Sequence, residues 1–188
     1  MSYALEINGL KKTYDNGFEA LKGIDLAVET GDFFALLGPN GAGKTTFFNL
    51  LSGFMTPDEG DIRFKGQRLN GMRPSNICKL GMTRTFQIVK PFPELSVLEN
   101  VMIGAFNTTA STAKAREIAY RVLELVEYAE YAEYPAGALP VAGRKRIEVA
   151  KALATEPELL LLDEVLAGLT PTEMWGMIDV LGKVRDSG

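Results

Sequence analysis

The chain has 188 residues, 46% of them hydrophobic and 23% charged, with a net charge of −4; that is enough apolar material for one globular domain and argues against a disordered chain. The acidic balance leaves no electrostatic footprint for nucleic acid, and the tight basic cluster Arg144, Lys145 and Arg146 reads as a solvated helix face. A single cysteine, Cys78, excludes an internal disulfide or a thiolate cluster, and the absence of histidine removes the commonest acid-base residue and metal ligand. No segment approaches the roughly 20 apolar residues that cross a bilayer and no leader precedes a cleavage site, so the expected location is cytoplasmic without direct membrane insertion.

Residues 5–10 and 24–28 read as strands, with Asp15, Asn16 and Gly17 as turn chemistry between them, so the chain opens with antiparallel structure. Residues 33–37 are an apolar run with the look of a buried parallel strand, and a helix-like stretch follows over residues 46–52. Between them stand Gly38, Pro39, Asn40, Gly41, Ala42, Gly43, Lys44, Thr45 and Thr46, which satisfy the phosphate-loop pattern of Gly, four residues, then Gly-Lys-Ser/Thr. Glycines let successive amide hydrogens turn inward, and the following helix adds its positive N-terminal end. The expected ligand is a nucleoside triphosphate, with Lys44 on the outer phosphates and the Thr45 hydroxyl on magnesium, which takes few protein ligands.

Residues 56–60 are a turn, and residues 61–65 alternate polar and apolar as a half-exposed strand does. A further short strand ends near Gln87. Between residues 96 and 155 the period changes, with Ile118, Ala119, Val122, Leu123 and Val126 at helical spacing, and residues 142–153 form another helix. The unbroken run at 159–162 suits a strand covered on both faces, and Pro171 opens a final helix where proline is tolerated. The strand at 159–162 ends in Asp163 and Glu164. An aspartate there suits a water-mediated grip on magnesium and the adjacent glutamate can polarise an attacking water, because parallel sheets place their sites at carboxyl strand ends.

With phosphate loop and acidic strand in place, the whole chain resembles the ATP-binding subunit of ABC transporters. The resemblance implies an α/β fold, a P-loop NTPase ABC nucleotide-binding domain with a mostly parallel core sheet, antiparallel N-terminal strands and an inserted helical subdomain. It implies one domain over 1–188, with residues 1–88 and 156–188 as nucleotide-binding core and 89–155 as the helical subdomain. Tyr14 matches the aromatic that stacks on adenine, and Gln87, in Arg84, Thr85, Phe86, Gln87, matches the glutamine that touches magnesium and the attacking water. Ala167, Gly168, Leu169 and Thr170 occupy the loop that couples two nucleotide sites. The Arg84 to Gln87 residues, followed by Phe92, Pro93, Glu94, Leu95, Ser96, Val97, Leu98, Glu99 and Asn100, are similar to subunits that energise branched-chain amino-acid uptake in prokaryotes.

Two departures qualify the resemblance. The family signature Leu-Ser-Gly-Gly-Gln falls on Leu139, Pro140, Val141, Ala142 and Gly143, where only the leucine survives; Pro140 has neither hydroxyl nor amide hydrogen for the γ-phosphate held by a partner subunit. The family's switch histidine lies on a strand just beyond the final helix, and the sequence stops at Asp186, Ser187 and Gly188, so it reads as C-terminally truncated. The implied function is an ATP-hydrolysing subunit of a membrane importer that uses ATP and Mg2+, pairs with a second ATP-binding subunit and works with permease subunits at the inner face of the plasma membrane. Glu164 would be the general base and Thr45, Gln87 and Asp163 would surround magnesium. The alternatives are a regulatory module that binds nucleotide with little hydrolysis, and a soluble relative acting in DNA repair or translation, which would carry coiled-coil or basic insertions this sequence lacks.

Overall fold

In a computed structural model, residues 3–85 and 91–187 are described. They fall into two compact units, Met1–Met82 and Thr83–Gly188.

The first unit is built on β1 (Tyr3–Thr13), whose Leu5, Ile7 and Leu10 are all buried. Strict alternation would turn Leu10 outward. A register shift between Ile7 and Leu10 restores it to the core, with Gly9 at φ 57 and its amide donating to Asp25 Oδ1 at 2.6 Å. The strand pairs antiparallel with β2 (Glu19–Glu29) on one side and β3 (Glu59–Phe64) on the other. Lys65 and Gly66, both at positive φ, then make the two-residue turn to β4 (Gln67–Arg68), and the sheet order is β2-β1-β3-β4. Helix α1 (Lys44–Leu51) buries Phe47, Leu50 and Leu51, and α2 (Pro74–Lys79) opens on a proline that lacks the amide hydrogen the first turn cannot use.

Residues 33–37 differ from the sequence expectation. They join no ladder among the described residues, and Phe33, Phe34, Leu36 and Leu37 are exposed, Leu37 by 89%. An apolar run supplies the side chains of a buried strand, but a strand also needs backbone partners, and the four-stranded sheet does not include this segment.

The short strands β5 (Met82–Arg84), which begins at the last residue of the first unit, and β6 (Leu159–Leu161) join as a two-stranded sheet, continued by the Thr85 amide donating to Leu161 O at 2.9 Å. The core of the second unit is helical: Leu98 and Val101 of α3 (Val97–Ala105), Ala119 and Leu123 of α4 (Thr112–Leu125), Ile147 and Ala150 of α5 (Val141–Leu153), and Met177 and Val180 of α6 (Pro171–Asp186). Helices α3 and α6 start on reciprocal capping boxes, Ser96 with Glu99 and Thr170 with Glu173. Asn100 is fully buried yet satisfied: its Oδ1 accepts from the Phe92 amide, and its Nδ2 donates to the carbonyls of Phe92 and Ser96, fixing the loop before α3.

Candidate functional site

In the first unit the phosphate loop runs into the N-terminus of α1, where the cap is Gly43 at φ 86, a residue with no side chain to cap the first-turn amides. Those donors and the helix dipole together favour an anion. Gly43 is required twice over, because a Cβ there would strain the left-handed backbone and stand 2.7 Å from Ala20 O. Lys44 Nζ donates to the carbonyls of Gly38 at 2.5 Å and Pro39 at 2.9 Å, so the ammonium lies over the loop. Thr45 is exposed, whereas Thr46 is buried and its Oγ1 bonds Tyr14 Oη at 2.8 Å. Tyr14 comes from the β1–β2 hairpin, where its ring stacks on Phe18 with centroids 6.5 Å apart. The hairpin is thereby tied to the loop helix through the hydroxyl of the aromatic that the sequence singled out.

In the second unit Asp163 and Glu164 follow β6 directly. Asp163 is buried, its Oδ2 paired with Arg84 Nη2 at 2.7 Å and its amide donating to Thr85 Oγ1 at 3.1 Å, so β5 holds both its charge and its backbone. Glu164 is exposed and sits at φ 48, a left-handed conformation that costs a residue with a Cβ of order 1–3 kcal/mol. Its carbonyl accepts from the Ala167 amide at 3.1 Å and from Lys145 Nζ at 2.8 Å. The Gln87 assignment lies outside the described residues.

The basic cluster at 144–146 is not a solvated face. Lys145 is buried at 8% exposure, Arg144 donates to Leu139 O and Gly137 O, and Arg146 donates to Val126 O and pairs with Glu127. Three consecutive positions on a helix span roughly 200° of its circumference, so a charge run of that length must aim at least one member toward the body it packs on. Burial lowers the Lys145 ammonium below the usual lysine range, and the nearby Glu164 charge opposes that shift.

The segment aligned with the signature opens α5. Its N-cap is Pro140, which makes no side-chain cap, and Val141 is 57% exposed. Gly143 lies against Tyr128, whose hydroxyl occupies the space a Cβ at 143 would take. Replacing Pro140 by Ser supplies the missing cap oxygen, and Pro140→Ser is expected to stabilise the chain by about 1 kcal/mol, read as a higher denaturant midpoint at unchanged slope.

For magnesium, the donor set is two hard oxygens described separately in the two units: the exposed Thr45 hydroxyl and the Asp163 carboxylate oriented by Arg84. No group of three or more acidic, His or Cys side chains comes together among the described residues, so most of the ion's shell would come from phosphates and water, as suits this cation. Each of these oxygens, taken in its own unit, is of the hard type that magnesium accepts.

A family model described as ABC transporter matches residues 21–167. The chain is 37% identical to the high-affinity branched-chain amino acid transport ATP-binding protein BraF of Pseudomonas aeruginosa, covering 96% of this chain and 76% of that protein. A crystal structure of the ADP conformation of an ATP-binding cassette of an ABC transporter superposes with a TM-score of 0.88 at 29% identity, over all of this chain and 78% of the other. A dimeric ATP-binding cassette in a post-hydrolysis state with ADP and Pi aligns with a TM-score of 0.85 at 25% identity, over 97% of this chain and 83% of that one. The fold class expected from the sequence is therefore the one present. No helix among the described residues is long and apolar enough to cross a membrane. From the phosphate loop, the acidic strand end and these likenesses, the chain belongs to the ABC transporter family, as one of its ATP-binding ATPase domains.

Proposed function

We propose that this chain binds magnesium ATP at residues 38–46, hydrolyses it with Glu164 as general base, and energises an importer of branched-chain amino acids. The intact phosphate loop carries the reading: Lys44 lies over a loop whose helix end has no side-chain cap, an arrangement that grips outer phosphates. Magnesium, when bound, would neutralise charge on the β- and γ-phosphates; Thr45, Asp163 and Gln87 are the residues to hold it. Tyr14 supplies the face for adenine. Glu164 takes the proton of the attacking water, and Arg84 keeps the Asp163 carboxylate at the strand end rather than letting it swing out. Residues 89–155 form the helical subdomain that carries the altered signature. The partners are a second ATP-binding subunit and membrane permeases, which place the chain peripherally at the inner face of the plasma membrane.

Reconstituting the chain in proteoliposomes with its permeases and partner subunit, and following labelled leucine, isoleucine and valine, tests this. Uptake that requires ATP and this chain is expected; uptake indifferent to its omission overturns the transport assignment. A second reading, nucleotide occupancy as a regulatory signal, draws on Pro140, which brings neither hydroxyl nor amide hydrogen to the start of α5. Phosphate release that stays at background with and without the partner subunit, while ATP binds, would favour that reading.

A further inference from the structure

Lysine is almost never fully buried unless something pairs with its charge. Lys145 leaves α5 for the interior of the second unit, and the bond that receives it goes to a main-chain oxygen nineteen residues away, the carbonyl of Glu164. That carbonyl also accepts the Ala167 amide, so both of its lone pairs are engaged, one by its own turn and one by a different helix. The residue whose carbonyl is held in this way is in a backbone region that a side chain disfavours.

We propose that Lys145 is a positioning residue: its ammonium pins the Glu164 carbonyl, holds the residue in the left-handed conformation, and so sets where the exposed carboxylate stands. Asp163 is held from the other side, through Arg84 and Thr85 of the β5 end, so the pair of acids is gripped by two cations that play different parts. Arg84 bonds a carboxylate directly, whereas the hydrogen bond of Lys145 goes to the Glu164 main chain and the Glu164 charge acts on it only through space. Charge compensation by Glu164 is only part of the account of Lys145, because burial outweighs it. Glu148, the buried acid on the same helix, is paired with Lys151 at 3.5 Å, and Lys145 Nζ bonds a neutral carbonyl. A consequence follows for coupling. Lys145 sits five residues after Pro140, the N-cap of α5, so a displacement of that helix end is carried to the Glu164 backbone by one hydrogen bond.

This inference rests on Glu164 being the base, and the test separates the two claims. Lys145→Met and Lys145→Arg are prepared in the full chain, with Glu164→Gln as reference. Lys145→Met is expected to lower kcat at least tenfold with KM for ATP changed by less than about twofold, and to leave the melting temperature equal or higher, because a buried charge has been removed. Lys145→Arg, which keeps a donor, is expected to recover most of the lost turnover. The amide of Ala167 is expected to lose hydrogen-exchange protection at least tenfold in Lys145→Met, a readout that needs no hydrolysis. Unchanged kcat in Lys145→Met, where Glu164→Gln shows that turnover depends on Glu164, or a fall in kcat that merely tracks a fall in melting temperature, overturns the positioning role. If Glu164→Gln leaves turnover unchanged, the ATPase assignment fails, and the pinning of the carbonyl is then decided by the Ala167 exchange alone: unaltered protection overturns it.

Discussion

Glu164→Gln is expected to lower steady-state ATP turnover by a factor of about 10² to 10⁴, the range a positioned general base contributes, while ATP still binds. The substitution is close to isosteric, so the left-handed backbone at φ 48 and the two bonds to the Glu164 carbonyl are expected to persist, while the side chain loses its charge and its basicity. Because the side chain is exposed, the neutral amide gains nothing from escaping a desolvation penalty, and stability should stay within about 0.5 kcal/mol. Asp163 cannot take over, since its carboxylate is buried against Arg84. Phosphate release by the wild type and the variant, alongside equilibrium binding of a fluorescent ATP analogue, measures both halves. Lost binding, or turnover reduced less than tenfold, would remove Glu164 from the role.

The largest effect on stability is expected at a position with no chemistry. Gly104 in α3 meets α5 so closely that a Cβ would overlap the main-chain oxygen of Lys151, with Lys151 C at 3.1 Å and Ala154 Cβ at 3.2 Å. A side chain can rotate away from a clash; a helix backbone cannot, so the two helices must separate and open the core between Val101, Ile147 and Ala150. Gly104→Ala should therefore cost about 3 kcal/mol or more, at or beyond the top of the usual overpacking range. Gly182 in α6 is the internal control, for a Cβ there meets nothing within 4 Å. Gly182→Ala should stabilise by about 0.5–1 kcal/mol through helix propensity alone. Urea midpoints of the two variants, moving in opposite directions, check both; a Gly104→Ala midpoint equal to wild type would mean the helices are not packed at this distance.

Much of this was legible in the letters. The phosphate loop, the strands flanking Asp15 to Gly17, the helical period around Val122, the strand ending in Asp163 and the helix opened by Pro171 all stand where composition and spacing put them. They share a cause: each is specified by residues close in sequence. What escaped depends on distant partners. Residues 33–37 have strand chemistry but no paired neighbour among the described residues, and Lys145 is buried where a carbonyl nineteen residues later receives it. Neither fact can be read from a window of ten residues. The start of α3 is a different kind of omission, since Ser96 and Glu99 spell a capping box in plain view. For the candidate site, the sequence named the acids and the loop, but gave Arg84 and Lys145, the two cations bonded at the acids, no part in holding them.

Tyr128 and Gly143 turn the altered signature into a problem of order. A glutamine introduced at 143 alone would drive its Cβ into the Tyr128 phenol, which is itself buried, so that ring would have to move within the helical core. Trimming Tyr128 first would open the space, at the cost of a cavity in the helical core. The two substitutions are each harmful apart and compatible together, and their effects will not add. The last letter of the family's five-residue signature is thus obstructed by a residue fifteen positions upstream, and an attempt to restore that motif is best begun there.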